Sequence, residues 1–271
     1  MRESVQYSVN PRFVVPKVTN QPLIISMLQK KSLKSGAGPG TGTLAAKQIF
    51  PALRYSTLLE RDCAFAEIGK ELAEYALDQT LAMHWQIGDV EKMPSHALHD
   101  LVVASYSLGE LAENSWEKVV IRLWRATNRA FVIVEPGTPR GYHRLMQMRQ
   151  VLIQQGAYIA GPCPHQKECP LAKGDWCHFS VRVSRTSLHR KLKLAELGYE
   201  DEKFCYIICI KDSTDSAFLG KVIRHPKKGK GYIKIVTCRE QGIQEETYSK
   251  KDAGLYQMMK QLEWGSDLPI I

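Results

Sequence analysis

The 271-residue sequence lacks long hydrophobic runs, internal repeats and low-complexity tracts. Because no apolar run approaches the ~20 residues that a membrane-spanning helix needs, we expect a soluble protein without a membrane segment. The first ten residues, MRESVQYSVN, lack the apolar core of a secretory signal peptide. The seven cysteines are odd in number and lack the regular pairing of a small secreted scaffold, which favours a reducing compartment.

Short apolar runs alternate with helical patterns between Ser35 and about Gly156, and this alternation predicts a doubly wound α/β sheet. After Gly161 the sequence changes to a cysteine-rich loop, a basic stretch, two further strands and a last helix. We therefore divide the chain into an atypical N-terminal segment (1–34), a Rossmann-like domain (35–160) and a cysteine-rich extension (161–271), whose strands are expected to complete the same sheet. The predicted strands include 55–59, 100–106, 131–134, 204–211 and 232–237, and the predicted helices are 42–50, 63–81, 108–127, 142–155 and 250–264.

A glycine-rich turn, S-G-A-G-P-G-T, runs from Ser35 to Thr41 and leads into a predicted helix. Its glycines permit positive φ angles and close approach of the backbone to a ligand, and the following helix offers free N–H groups. The G-x-G-x-G spacing is the form common in S-adenosylmethionine enzymes, although a tight turn without a ligand is the alternative. The candidate cofactor-binding residues of this turn are Gly36, Ala37, Gly38 and Gly40.

Two acidic residues follow in the order that a nucleotide-type cofactor requires. Glu60 closes the next predicted strand, where a carboxylate can accept both ribose hydroxyls, and Asp89 follows a third strand, where it could receive the adenine amino group. The structural alternatives are a surface acid that starts a helix for Glu60 and a loop cap for Asp89. Lys34 stands where an acid would hold the methionine amine, and its charge is unfavourable for a sulfonium and an ammonium. S-adenosylmethionine is therefore the predicted cofactor, with an affinity that Lys34 weakens or abolishes.

The most specific motif is the proline-broken loop C-P-H-x-x-x-C-P-x-x-x-x-x-W-C-H, which places Cys163, Cys169 and Cys177 at C-x5-C-x7-C spacing. Thiolates on an irregular loop can converge on one metal centre. A fourth thiolate has to come from Cys205, Cys209 or Cys238. The first two have the even spacing of small buried residues on one strand face. Cys238 ends the last predicted strand and is the favoured ligand.

Zinc and an iron–sulfur cluster both fit four thiolates. Either His165 or His178 could replace one thiolate in a zinc site of the Cys3His type. The short C-x2-C spacing of many zinc sites is absent, and Cys-Pro steps recur around clusters, so the sequence favours an iron–sulfur cluster over zinc.

The formal net charge of +9 favours acidic partners, of which nucleic acid is the commonest. Basic residues concentrate in two runs, 182–193 (RVSRTSLHRKLK) and 221–234 (KVIRHPKKGKGYIK). Either run alone could be a solvated surface. Two runs beside a cysteine-rich loop favour RNA as the partner.

Several segments in one order resemble a known family. They are G-A-G-P-G-T, D-L-V-V-A-S-Y-S-L-G-E-L, E-P-G-T-P, the cysteine loop, and L-H-R-K-L-K-x-x-E-L-G-Y-E-D-E-K-F. From about Ser35 to Trp264 the chain is similar to the methyltransferase-like proteins associated with the small ribosomal subunit, the methyltransferase-like protein 17 family of bacteria and mitochondria. One departure besides Lys34 is Gly109, which stands where the family usually has asparagine.

The resemblance implies a class I S-adenosylmethionine-dependent methyltransferase fold that carries a cysteine-rich, cluster-bearing extension. It also implies small-subunit rRNA and the assembling small ribosomal subunit as partners, in the bacterial cytoplasm or the mitochondrial matrix. Mitochondrial members carry a 4Fe-4S cluster, which by position implies Cys163, Cys169, Cys177 and Cys238 as its ligands. The family offers no recognised catalytic base, and we assign none.

Three functions are compatible with these features, and we expect a monomer for each. The first is an S-adenosylmethionine-dependent methyltransferase-like protein that acts on small-subunit rRNA or in small-subunit assembly. The second is a non-catalytic RNA-binding assembly factor whose cluster is structural or senses iron. The third is a small-molecule methyltransferase with an incidental zinc site, which the basic runs disfavour.

Overall fold

The computed structural model describes residues 30–75, 80–93, 97–194, 196–213 and 218–269, which form two sheets and their covering helices. Short 3₁₀ helices lie at Val90–Lys92 and Leu108–Glu110. None of the helices in these ranges is both long and apolar enough to cross a membrane. The strands are β1 (Lys31–Ser35), β2 (Tyr55–Glu60), β3 (Ala82–Ile87), β4 (His99–Ser105), β5 (Thr127–Pro136), β6 (Tyr158–Gly161), β7 (Phe179–Ser184), β8 (Tyr199–Ile210), β9 (Gly220–Val222), β10 (Lys227–Gly229), β11 (Tyr232–Arg239), β12 (Gly242–Ser249) and β13 (Asp267–Leu268). The α-helices are α1 (Thr41–Ile49), α2 (Cys63–Glu74), α3 (Trp116–Arg125), α4 (Pro139–Gln154), α5 (Ser187–Leu192) and α6 (Ala253–Lys260).

The larger sheet has eight strands in the order β3-β2-β1-β4-β5-β8-β6, with β7 paired to the first half of β8. Strands β1 to β5 are parallel, and their order is that of the doubly wound dinucleotide-binding fold. Strand β8 runs antiparallel between β5 and β6. The predicted Rossmann-like α/β sheet is confirmed. Ligands of such sheets bind at the carboxyl edge of the parallel strands.

Strand β1 lies at the centre of this sheet although its sequence, K-S-L-K-S, is polar. Its last four residues are buried. Buried polar side chains need partners, and Ser32 donates to the Oγ atom of Ser56 at 2.9 Å while Lys34 bonds to backbone carbonyls. The sheet therefore starts at Lys31, a few residues before the domain start at residue 35 that the sequence suggested.

Two apolar clusters cover the two faces of the larger sheet. Alternate residues of β5 point to opposite faces, so Phe131 joins the cluster under α3 and α4 while Val132 joins the cluster on the side of α1. Both side chains are buried, and complete burial of such a side chain contributes about 1.5–3 kcal/mol. The central strands are held from both sides and give the carboxyl edge a fixed geometry.

The second sheet has five strands in the order β10-β11-β9-β13, with β12 paired to β11, and its pairs are antiparallel. Helix α6 packs Tyr256 and Met259 against Ile233 and Ile235 of β11. Residues after 161 thus contribute β7 and β8 to the larger sheet and also build this separate sheet.

Three predicted helices are shorter than the sequence suggested. The predicted helix 108–127 divides into the 3₁₀ turn and α3. Ser115 bonds to the carbonyl of Ala112 just before α3 begins, and Thr127 already belongs to β5. Helix α2 ends at Glu74; residues 76–79 of the predicted helix 63–81 lie outside the described residues. The predicted helix 250–264 is confined to α6. The β6, β7 and β12 strands had not been predicted.

Candidate functional site

The glycine turn follows β1 at the carboxyl edge of the larger sheet and leads into α1. Gly36, Gly38 and Gly40 have φ angles of +58°, +52° and +87°, which glycine adopts without strain, and Ala37 is buried between them. A Cβ atom at Gly36 would lie 2.4 Å from the Cβ atom of Ser107, whereas one at Gly38 would have nothing within 4 Å. The turn therefore packs on the protein itself at Gly36 and has open space beside Gly38.

Glu60 ends β2 and ties the glycine turn to that strand. Its Oε2 atom accepts the N–H of Gly38 at 2.7 Å. Its Oε1 atom accepts the N–H groups of Arg61 at 2.8 Å and Asp62 at 2.9 Å. A carboxylate offers about four acceptor sites, so backbone groups already use most of those that ribose hydroxyls would need.

Asp89 lies beyond the end of β3. Its Oδ1 atom accepts the N–H of Glu91 at 2.9 Å and caps the 3₁₀ helix Val90–Lys92. This is the loop-capping role that the sequence left open. The contact of Asp89 with an adenine amino group stays a prediction.

Lys34 is buried near the end of β1, directly before the glycine turn. Its Nζ atom donates to the carbonyls of Ser35 at 2.9 Å and Gly36 at 3.2 Å. Burial lowers the pKa of Lys34 from 10.5 to about 8, against the opposing charges of Glu60 and Glu135. The side chain therefore remains mainly protonated at neutral pH, and it places an ammonium against the carbonyls of the turn.

Glu135, at the end of β5, is a counter-charge that the sequence analysis missed. It is buried, and its Oε1 atom accepts the N–H of Gly109 at 3.3 Å. Burial raises the pKa of Glu135 from 4.5 to about 7. A Cβ atom at Gly109 would lie 2.7 Å from Oε2 of Glu135, so the glycine makes room for this carboxyl group. The two departures from the family pattern, Lys34 and Gly109, thus both interact with Glu135.

These contacts do not fit S-adenosylmethionine well. The methionine part of that molecule carries an ammonium and a sulfonium, and the turn already holds the ammonium of Lys34 on its own carbonyls. A like charge in this partly buried setting is repelled more strongly than in water. The fold provides the edge at which a cofactor binds, while the side chains at that edge disfavour this one.

The four cysteines selected from the sequence line one pocket. Cys163, Cys169 and Cys177 come from the loop between β6 and β7, and Cys238 comes from β11 of the second sheet. The pocket contains about 510 Å³ of space not filled by atoms, the part open to solvent included. Apart from the thiols, most of the side chains that line the pocket are apolar or aromatic. Loop and sheet therefore bring the predicted ligands to one place.

Cys205 and Cys209 lie in β8 and belong to the core cluster under α3 and α4, as the sequence indicated. Cys205 also lines the cysteine pocket. Its Sγ atom lies 3.4 Å from the carbonyl oxygen of Pro136. A fifth thiol is thus available on the pocket wall, which the sequence did not reveal because it requires the position of β8 relative to the loop.

Positive charge faces this pocket from two sides. The buried Arg149 of α4 donates to the carbonyl of His165 at 2.9 Å, and its Nε atom has no hydrogen-bond acceptor within the described residues. Lys221 of β9 lines the pocket and is ion-paired with Asp267. Burial raises the pKa of the Cys163 thiol, and the Arg149 guanidinium opposes that rise. The pocket can therefore compensate part of the negative charge of bound thiolates.

Two other thiols of the pocket also have raised pKa values. Burial raises the pKa of Cys238 to about 12 and that of Cys177 well above its ordinary value. The Tyr142 hydroxyl of α4 interacts with the Cys169 thiol, and burial together with this contact raises the pKa of Tyr142. Deprotonation of these cysteines therefore requires a positively charged centre.

The zinc alternative stays a prediction, and the structure places one of its two candidate histidines at the pocket. Within the part of the chain that the structure describes, no three Cys, His, Asp or Glu side chains are close enough to hold one metal ion. Tetrahedral zinc with bonds of ~2.3 Å would need sulfur atoms about 3.8 Å apart. His165 lies 3.7 Å from the Cys238 sulfur, whereas His178 is stacked on Trp176 with ring centroids 5.2 Å apart. Of the two histidines, only His165 lines the pocket.

Each of the two basic runs contains three ion-paired residues, and the runs differ in the charges that remain exposed. In the first run, Arg182 pairs with Asp201 at 2.7 Å and Arg185 pairs with Glu200 at 2.7 Å. The second run contains the buried Lys221, but the segment 227–230 is mostly exposed. The second run therefore presents the stronger candidate nucleic-acid surface.

Two known proteins show what the sequence of this chain is similar to. It is 25% identical over 253 residues to the human mitochondrial ribosome assembly protein METTL17, covering 87% of this chain and 54% of the relative. It is 21% identical over 296 residues to Rsm22-cox11 tandem protein 2, mitochondrial, of Schizosaccharomyces pombe, covering 91% of this chain and 39% of that protein. The chain thus spans about half, or less, of the length of these relatives.

Among solved structures, the chain is similar to magnesium protoporphyrin IX methyltransferase of Synechocystis with bound SAH, with a TM-score of 0.47 and 12% identity over 72% of this chain and 82% of that one. The family model described as "Mitochondrial small ribosomal subunit Rsm22" matches residues 24–269. The family resemblance that the sequence motifs suggested is therefore confirmed, and the chain belongs to the Rsm22 family.

Proposed function

We propose that this chain is an RNA-binding factor that acts in the assembly of the mitochondrial small ribosomal subunit, in the matrix, on a methyltransferase fold that does not transfer methyl groups. Membership of the Rsm22 family and the similarity to a mitochondrial ribosome assembly protein support the assembly role. The observation that carries the non-catalytic part is the Lys34 ammonium on the carbonyls of the glycine turn.

Calorimetric titration with S-adenosylmethionine, followed by methyl-transfer assays on small-subunit rRNA, tests this part. We expect no saturable binding, and we expect Gly38→Ala to leave small-subunit association intact, because a Cβ atom there meets no other atom within 4 Å and its φ of +52° costs an alanine only about 1–2 kcal/mol. Saturable binding together with methyl incorporation, both lost in Gly38→Ala at unchanged stability, would contradict the non-catalytic role.

A second candidate function is methylation of small-subunit rRNA by the same edge of the sheet. The observation that favours it is the open space beside Gly38, on a turn that keeps its positive φ angles. Methyl transfer can depend on positioning of donor and acceptor alone. The same titration decides between the two functions, because only this one requires the cofactor.

For the cysteine pocket we propose a 4Fe-4S cluster held by Cys163, Cys169, Cys177 and Cys238. The shared pocket supports a single centre, because all four thiols line it. Four thiolates are the usual ligands of such clusters. Arg149 and Lys221 would offset the negative charge of the ligands. A cluster there would bind the loop after β6 to the second sheet.

Anaerobic purification with iron, sulfide and zinc analysis tests the cluster. We expect about four irons and four sulfides per chain, lost in Cys163→Ser and in Cys238→Ser. Cys205→Ser should keep the iron, which separates the two candidates for the fourth ligand. Cys63→Ser, at an exposed position away from the pocket, is the matched control. Zinc in place of iron would contradict the cluster assignment, and iron retained in Cys238→Ser but lost in Cys205→Ser would change the fourth ligand.

RNA binding is tested by the salt dependence of affinity for small-subunit rRNA fragments. If phosphates provide the contacts, affinity falls steeply with added salt. Charge reversal to glutamate at three exposed lysines of the second basic run should weaken binding, and the same reversal at three exposed lysines elsewhere should not. The lysines are Lys227, Lys228 and Lys230 for the test and Lys70, Lys118 and Lys173 for the control. Affinity that does not depend on salt would contradict phosphate contacts.

A further inference from the structure

The face of the second sheet that is turned away from α6 carries an aromatic ring among lysines at its exposed end. Along β11, Ile233 and Ile235 point into the core, so Tyr232 and Lys234 point to the other face. Antiparallel pairing places Gly229 opposite Tyr232 and Lys227 opposite Lys234. These residues, from two neighbouring strands, therefore share one surface.

The Tyr232 ring lies across Gly229. A Cβ atom at that glycine would be 2.3–2.8 Å from Cε1, Cζ and Oη of the ring, so any larger residue at 229 would displace it. Tyr232 remains 47% exposed in this position. One side of the ring thus packs against the backbone of Gly229, and the rest of the ring is exposed to solvent.

The charges around this ring are mainly positive. Lys227 and Lys234 are directly opposite each other, and like charges in this arrangement destabilise a sheet unless an anion compensates them. Lys234 is ion-paired with Glu245, whereas Lys230 and Lys250 are exposed at the same end of the sheet as Tyr232. Lys250 is held there by a hydrogen bond from its N–H to the carbonyl of Gly231 at 3.0 Å.

We propose that this surface is a binding site for single-stranded RNA, in which Tyr232 stacks on an unpaired base. This inference rests on the RNA-binding role proposed above and identifies its site and the form of RNA. Lys227, Lys230 and Lys250 bind the adjoining phosphates. Single-strand binding sites combine a basic surface with aromatic side chains on which bases stack, and the bases of an A-form duplex are not available for such stacking.

Fluorescence anisotropy with a labelled unstructured RNA of about ten nucleotides and with a blunt RNA duplex tests the site. We expect Tyr232→Ala to weaken single-strand binding about 5- to 150-fold, the range that corresponds to ~1–3 kcal/mol per stacked base. Tyr232→Phe keeps the ring and should bind like the unchanged protein. Tyr75→Ala, at a tyrosine that is 82% exposed on another surface, is the matched control.

The salt slope separates stacking from phosphate contacts. Tyr232→Ala should leave the slope of log affinity against log salt unchanged, whereas Lys230→Gln should reduce it by roughly 0.7 for a single strand. Equal losses for the duplex and the single strand in Tyr232→Ala, or no loss in either, would overturn the stacking site while leaving RNA binding in place. Failure of the unchanged protein to bind either RNA would overturn the site and the proposed RNA role together.

Discussion

The buried lysine of the glycine turn makes stability depend on pH in a way that one substitution removes. Lys34→Met keeps the length of the side chain and removes the ammonium. The pKa of Lys34 is about 8 in the folded chain against 10.5 ordinarily, because burial disfavours the charged form. Between these pH values the unfolded chain binds a proton that the folded chain has released. The wild type therefore gains stability as pH rises from 8 to 10.5, and the variant does not.

The size of the effect follows from the shift in pKa. Each pKa unit corresponds to 1.36 kcal/mol, and the lowering from 10.5 to about 8 therefore gives a total of about 3 kcal/mol. About 1 kcal/mol of it should develop over the first pH unit above 8, because Lys34 is only half deprotonated at its folded pKa. Glu135 increases the same difference between wild type and variant. In Lys34→Met the nearby ammonium is absent, so the pKa of Glu135 rises further. A carboxyl group with a raised pKa loses stability as pH rises, and this loss is larger in the variant.

Urea unfolding followed by tryptophan fluorescence, under reducing conditions at several pH values from 8 upward, measures the difference between wild type and Lys34→Met. Burial raises the pKa values of Cys205 and Cys238, so both proteins lose stability above the ordinary thiol pKa of 9.0, and this loss cancels in the difference. A difference that stays constant from pH 8 to 10 would refute the reasoning. It would mean that the Lys34 ammonium is solvated and that the turn is open to a cofactor.

Two further substitutions test the packing at the same edge. Gly36→Ala should lower the free energy of unfolding by about 1–3 kcal/mol more than Gly38→Ala, because only the first places a Cβ atom against Ser107; equal urea midpoints would contradict that contact. Gly109→Ala should cost about 1–3 kcal/mol through overlap with the Glu135 carboxyl group, and an unchanged midpoint would show that this carboxyl turns away at no cost.

The sequence predicted the parts of the fold in which local pattern and tertiary structure agree. The apolar runs that became β4 and β5, and the helix before Pro51, needed no information beyond hydrophobic period and proline. Strand β1 was harder to predict because it is polar. It is stable at the sheet centre only because β2 and the glycine turn supply partners for Ser32 and Lys34, and such partners follow from pairing across the sheet.

The residues of the candidate sites also divide into those that local sequence reveals and those that depend on tertiary packing. Cysteine spacing was enough to predict that the three loop cysteines lie together, since they are near one another in sequence. The choice of Cys238 depended on where β11 ends, and the position of Cys205 on the pocket wall depended on the placement of β8. Arg149 gave no sequence signal, because an arginine in a helix is ordinarily exposed and its burial here results from the packing of α4 against the loop.

The end of β5 explains how the larger sheet can be needed for the cysteine pocket as well as for the glycine turn. Glu135 faces the Lys34 ammonium, the next carbonyl lies 3.4 Å from the Cys205 sulfur, and the Gly137 carbonyl accepts the indole N–H of Trp176 at 3.0 Å. Consecutive residues at the end of β5 thus interact with Lys34 beside the glycine turn, with Cys205 on the pocket wall and with the cysteine loop. Because the pocket takes its shape from β8 and α4, unfolding of the sheet would disperse the thiols whether or not the turn binds a cofactor. The sheet is therefore required to keep the cysteine pocket together, independently of any chemistry at the glycine turn.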